Sequence, residues 1–133
     1  MSALPTGIVR NVRLIGAAAV ILSLATWAME WTRLVEVCPY CEVQRTAIGI
    51  LGVLLLLPAR GSWWVRYLAS VTAAFGGVTA ATQHFNGWMA IHKGEFHGFA
   101  PIYGNGFLLS AAALLIIVGE WMILADLHAT PGP

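Results

Sequence analysis

Cys38-Pro39-Tyr40-Cys41-Glu42-Val43-Gln44-Arg45 leads directly into residues 46–57, which carry no charge. A stretch of that composition reads as a helix entering an apolar environment, with both cysteines of the chain on its threshold. Cys41 is expected on the first helical turn. There the unpaired N–H groups and the positive end of the helix dipole favour a thiolate, and Arg45 adds a fixed positive charge one turn further on. The Cys-x-x-Cys spacing lets the two sulfurs join in one disulfide, so the pair can take up or give up two electrons. Two cysteines make no disulfide framework, and this spacing suits redox or metal chemistry better than stapling.

Outward from that stretch the chain stays apolar. Of its 133 residues, 59% are hydrophobic and only 10% are charged, whereas a soluble domain carries about 25% charged residues. So little charge cannot coat a water-facing surface, and an integral membrane protein surrounded by lipid is expected, as a single domain over residues 1–133. A net charge of +1 argues against a nucleic-acid partner and against a polybasic membrane patch. Four apolar runs stand out, at residues 14–31, 42–57, 64–85 and 107–127. Crossing the hydrocarbon core takes roughly 20 residues, or about 17 at the short end. The second run is the shortest, and Pro58 ends it. Backbone groups within lipid must be satisfied inside their own segment, so helices are the only solution for such runs. The expected fold is all-α, a four-transmembrane-helix up-down bundle. The first run lacks a small-residue cleavage site and reads as a retained helix rather than a signal peptide.

Basic residues set the expected orientation. Arg10 and Arg13 precede the first run, and Arg60 and Arg66 flank the turn between the second and third. Those ends are expected on the cytoplasmic side, which puts the cysteine pair on the outer side, where oxidising conditions suit a thiol–disulfide catalyst. Arg33, Arg45 and Lys93 on that outer side make the bias slight. Small residues at Gly16-Ala17-Ala18-Ala19, Ala73-Ala74, Gly76-Gly77 and Ala111-Ala112-Ala113 read as close-packing positions between helices. The tryptophans, clustered near the ends of the runs, read as interfacial anchors.

The chemistry of the pair stays open on the residues alone. As redox partners, Cys38 and Cys41 exchange with an external dithiol. As metal ligands, they would combine with two of the histidines His84, His92 and His97 into a tetrahedral site. Glu30 and Gln44 lie near the outer ends of the first two helices and either point into the bundle or reach the interface. Arg45 needs a partner, for which a thiolate, a carboxylate or a quinone carbonyl would serve. Glu120 is expected to reach the interface at the cytoplasmic end of the last helix.

The run from Cys38 to Arg45 is similar to the Cys-x-Leu-Cys-x-x-Gln-Arg signature of the DsbB family, the disulfide bond formation protein B group. Glu30, eight positions before Cys38, together with Gly77-Val78 and Gln83-His84, also resembles family features, and the likeness extends from about residue 14 to 127. The resemblance implies a quinone-dependent disulfide generator in the bacterial inner (plasma) membrane. Its cofactor would be ubiquinone or menaquinone, and its partner a periplasmic dithiol protein of the thioredoxin fold. By the same resemblance Cys41 is the quinone-side sulfur, Cys38 exchanges with the partner, and Arg45, Gln44 and His84 lie at the quinone. Three departures stand out. The loop between the third and fourth runs lacks the family's second cysteine pair, Tyr40 replaces the usual leucine, and Val37 stands where proline is common. Cys38 then reacts directly with the partner, or another protein supplies the missing pair, or the bundle serves as an accessory subunit of a larger membrane complex.

Overall fold

The computed structural model describes residues 4–96, 98 and 105–129, with side chains described as far as residue 127. The described residues form five helices: α1 (Thr6–Arg10), α2 (Val12–Trp31), α3 (Pro39–Leu56), α4 (Trp63–His92) and α5 (Gly106–Ala129). The expectation of an all-α chain holds, and no strand occurs among the described residues. The four apolar runs become α2 to α5, and α1 is an additional short helix ahead of them. Among the described residues, α2 and α5 qualify by length and composition to cross a membrane. Glu42, Gln44 and Arg45 dilute the apolar character of α3, and α4 mixes small and polar residues along its length.

Local chemistry fixes the ends of the helices. Pro39 occupies the first position of α3, where its missing N–H costs nothing, and the Cys38 side chain caps the turn by accepting from the Cys41 N–H. α2 closes through Arg33, which sits in the left-handed region at φ 61. The Leu34 N–H reaches back to the Met29 carbonyl at 2.8 Å and the Arg33 N–H to that of Glu30 at 3.0 Å, so the last carbonyls of the helix are satisfied. α4 extends to His92, well past the expected end at residue 85, because no proline or glycine pair interrupts residues 85–92. Its 30 residues span about 45 Å at 1.5 Å per residue, against a hydrocarbon core of about 30 Å.

α3 is the element on which α2, α4 and α5 all pack, and α4 also packs on α5. Successive long helices run antiparallel. Gly16 of α2 faces Gly52 of α3, while Thr26 of α2 meets Arg45 near the start of α3. Gln44 of α3 meets Gln83 of α4, and Ala47 faces Gly76. Trp121 of α5 donates to Ser70 of α4 at 3.1 Å, whereas His84 meets Phe107 at the other end. One end of the molecule therefore gathers the cysteine pair, the start of α5 and the end of α4. The other gathers α1 and the α3–α4 turn.

The small residues do pack helices. A Cβ on Gly52 would stand 2.9 Å from both the Ala19 Cβ and the Gly16 carbonyl oxygen, so the α2 and α3 backbones approach as closely as they do because neither position carries a side chain. Gly77 faces open space instead. The core is built from Leu51, Leu55, Ala80, Ile117 and Leu124. Glu120 departs from expectation. It is only 3% exposed, and neither carboxylate oxygen has a hydrogen-bond partner among the described residues. α5 is apolar on nearly every side, so its sequence gives no sign of which face turns inward.

Candidate functional site: the cysteine pair and its cavity

Cys38 and Cys41 are free thiols in this structure, with their sulfurs 2.6 Å apart. This is inside van der Waals contact and close to the ~2.05 Å of a disulfide bond, so oxidation needs little movement. Cys38 caps α3, and Cys41 follows one turn on, ahead of the uncharged stretch. Donors collect on the Cys38 sulfur. Cys38 Sγ accepts from the Cys41 N–H at 3.3 Å and from the Cys41 thiol. Gln83 on α4 places its side-chain Nε2 3.7 Å from each sulfur.

At the start of α3 the first-turn Cys41 N–H points to the Cys38 sulfur, and the Gln83 amide stands beside Cys41 Sγ.

Arg45 finds several partners. Its Nε donates to the Cys41 carbonyl at 3.2 Å and its Nη1 to the Thr26 carbonyl at 3.0 Å. Nη1 also stands 3.0 Å from Glu30 Oε2. That contact is ionic without hydrogen-bond alignment, since Glu30 Oε2 has no hydrogen-bond partner among the described residues. The Trp27 ring lies over the guanidinium, 5.0 Å from its centroid. Of the two roles open to Glu30, the structure takes the inward one. Ser23 completes the junction by donating to the Arg45 carbonyl at 2.7 Å. Gln44, 4% exposed, donates to Gln83 Oε1 at 2.7 Å.

These groups form the polar end of a cavity of about 600 Å³. Cys38, Cys41, Gln44, Arg45 and Gln83 line that end, and Ile48, Leu109, Ala112, Ala113 and Ile116 line the rest. The walls come from α2, α3, α4 and α5, with the α2–α3 loop along one side. His84, expected at the same site, is not among the lining residues. Its Nδ1 reaches the Phe107 carbonyl at 3.1 Å, and its Nε2 accepts from Trp88 Nε1 at 3.1 Å. Both ring nitrogens are thus engaged at the α4–α5 interface, where Phe107 also stacks on the ring. Of the histidines considered as metal ligands, His92 ends α4 and His97 lies outside the described residues. No cluster of three or more His, Cys, Asp or Glu side chains with ligand spacing occurs among the described residues.

With this geometry in place, comparison with known proteins is direct. The family model described as disulfide bond formation protein DsbB matches residues 10–96. The chain belongs to the DsbB family. This member is 38% identical over 103 residues to the disulfide bond formation protein B of Acidovorax sp. (strain JS42), an alignment covering 71% of this chain and 59% of that protein. It thus spans about three-fifths of its relative's length. No solved structure matches it. The family consists of membrane proteins, in keeping with the apolar α2 and α5. The family match ends before α5, yet Leu109, Ala112, Ala113 and Ile116 of α5 form one wall of the cavity. Sequence reasoning did not assign Gln83 to the site. It noted the Gln83-His84 pair and carried over the histidine, and only the fold shows which of two adjacent side chains faces the sulfurs.

Proposed function

We propose that this DsbB-family protein is a membrane thiol–disulfide oxidoreductase that takes electrons from a dithiol protein through Cys38–Cys41 and passes them to a quinone. The observation that carries this reading is a pair of near-bonded sulfurs at the polar end of a largely apolar cavity. All four long helices cross the bilayer on this reading. Apolar side chains exposed on α3 and α4, among them Ile50, Val53, Val71, Phe75 and Val78, support it, since a soluble protein rarely exposes so much contiguous apolar surface. Arg10, Arg13, Arg60 and Arg66 share the end away from the cysteines, which supports a cytoplasmic location for that end and a periplasmic one for the pair.

The residues present fit a quinone. A flat ring with a prenyl tail calls for apolar walls and a donor at one end. Arg45 commits Nε and Nη1 to the protein, while Nη2 makes no hydrogen bond among the described residues. Ile48, Leu109 and Ile116 would flank the tail, and Arg45 and Gln44 would face a ring carbonyl. Bound there, a quinone supplies a sink for two electrons and two protons.

The chain's own part in the reaction begins when a thiolate of the partner attacks Cys38 Sγ. A mixed disulfide forms, the Cys38–Cys41 bond breaks, and its electron pair goes to Cys41 Sγ. The partner's second thiolate then attacks its own sulfur in the mixed disulfide, releasing Cys38 and leaving an oxidised partner. Cys38 and Cys41, now a dithiol, return to the disulfide by giving up two electrons and two protons on the cavity side. Arg45, held by Glu30 and Thr26, fixes a positive charge beside the transfer. Either ubiquinone or menaquinone would suit such a cavity, and the partner on this reading is a thioredoxin-fold dithiol protein that meets Cys38 directly. The test is anaerobic reoxidation of the reduced pair by a soluble quinone. Oxidation that proceeds equally well without quinone would remove the reading.

A further inference from the structure

We propose that Gln83, oriented by Gln44, is a further catalytic residue of the cysteine pair, whose side-chain amide donates to the sulfur that takes up negative charge as the disulfide opens. This rests on the thiol–disulfide reading above and assigns a part of the site beyond it.

Three observations place the amide. Gln44, buried on α3, donates to Gln83 Oε1 at 2.7 Å, which occupies the carbonyl and leaves the NH2 group facing the sulfurs. Nε2 lies 3.7 Å from Cys38 Sγ and 3.7 Å from Cys41 Sγ. On its far side the α5 backbone closes in at Gly106, where a Cβ would stand 3.1 Å from Nε2. The amide is thus held between three helices, and the glycine leaves room for it.

The two sulfurs differ in what else reaches them. Cys38 Sγ has the Cys41 backbone N–H. Among the described residues, the donor that reaches Cys41 Sγ is Gln83, while Arg45 Nε donates to the Cys41 carbonyl. When an external thiolate bonds to Cys38 Sγ, the bond to Cys41 breaks and Cys41 Sγ carries away the electron pair. Charge then develops on a half-buried sulfur with a single preorganised donor, and removing a hydrogen bond to a charged group is costly there. A neutral amide suits the task, because it serves the disulfide as well as the thiolate without carrying a charge of its own into the cavity.

The test is the rate at which dithiothreitol reduces the Cys38–Cys41 disulfide in the purified full-length protein, with no quinone added. Gln83→Leu is expected to slow it on the order of tenfold. Because Gln83→Leu alone leaves the buried Gln44 without its partner, the double variant Gln44→Leu/Gln83→Leu is measured beside it. The double variant is expected to be as slow as Gln83→Leu. Wild-type rates in Gln83→Leu overturn the proposal, and so does recovery of the wild-type rate in the double variant, which would trace the defect to an orphaned Gln44. The quinone reading fails separately, if wild-type thiols do not respond to quinone.

Discussion

Cys41→Ser is expected to bring quinone reduction by a dithiol down to the uncatalysed rate while leaving Cys38 reactive. The two sulfurs lie 2.6 Å apart, and serine removes the only sulfur within bonding reach of Cys38, so no intramolecular disulfide can form. Cys38 keeps its place as the cap of α3 and its backbone donor at the first turn, because both depend on the Cys41 main chain. An aromatic disulfide such as DTNB separates the two roles. In the reduced wild type, Cys38 forms a mixed disulfide and releases one thiolate, and Cys41 then resolves it and releases a second. In Cys41→Ser the reaction stops after the first, leaving a stable adduct on Cys38. Undiminished quinone reduction in this variant would contradict the mechanism.

Glu30→Gln is expected to destabilise the protein by about 3 kcal/mol, the low end of the range for breaking a buried ion pair. The Arg45 and Glu30 side chains are only 9% and 8% exposed, and their charges are 3.0 Å apart. Removing the carboxylate leaves a guanidinium with no compensating charge in the interior. The carbonyls of Thr26 and Cys41 and the Trp27 ring keep part of its solvation, which places the cost at the low end. Equilibrium unfolding in detergent micelles measures it. The double variant Glu30→Met/Arg45→Met recovers much of the loss, since replacing both partners by apolar groups is often close to neutral. A cost below about 1 kcal/mol, the value of a solvent-exposed pair, would show that water reaches the junction.

The sequence carried the helices and the cysteine motif well, because both are local. Apolar runs bounded by charge and proline mark α2, α3 and α5 to within a few residues, and Cys38 and Cys41 are paired by spacing alone. The end of α4 was less legible. Asn86-Gly87 reads as a break, yet the helix continues through it to His92. The partner of Arg45 was narrowed only to a class of groups, since the choice of Glu30 depends on the antiparallel register of α2 against α3. Long-range placement was least legible. Gln83 and His84 are adjacent in the chain, and the packing of α4 between α3 and α5 turns one to the sulfurs and the other to Trp88 and Phe107.

The central claim is that this single cysteine pair hands its electrons to a quinone. The most direct measurement reduces the protein in membranes, removes the reductant, adds a soluble ubiquinone analogue without oxygen, and counts free thiols at Cys38 and Cys41 by alkylation and mass. The account predicts that both thiols disappear together, only when quinone is present, and that an equal amount of quinol appears. Both thiols remaining free, with the quinone unreduced, would contradict it.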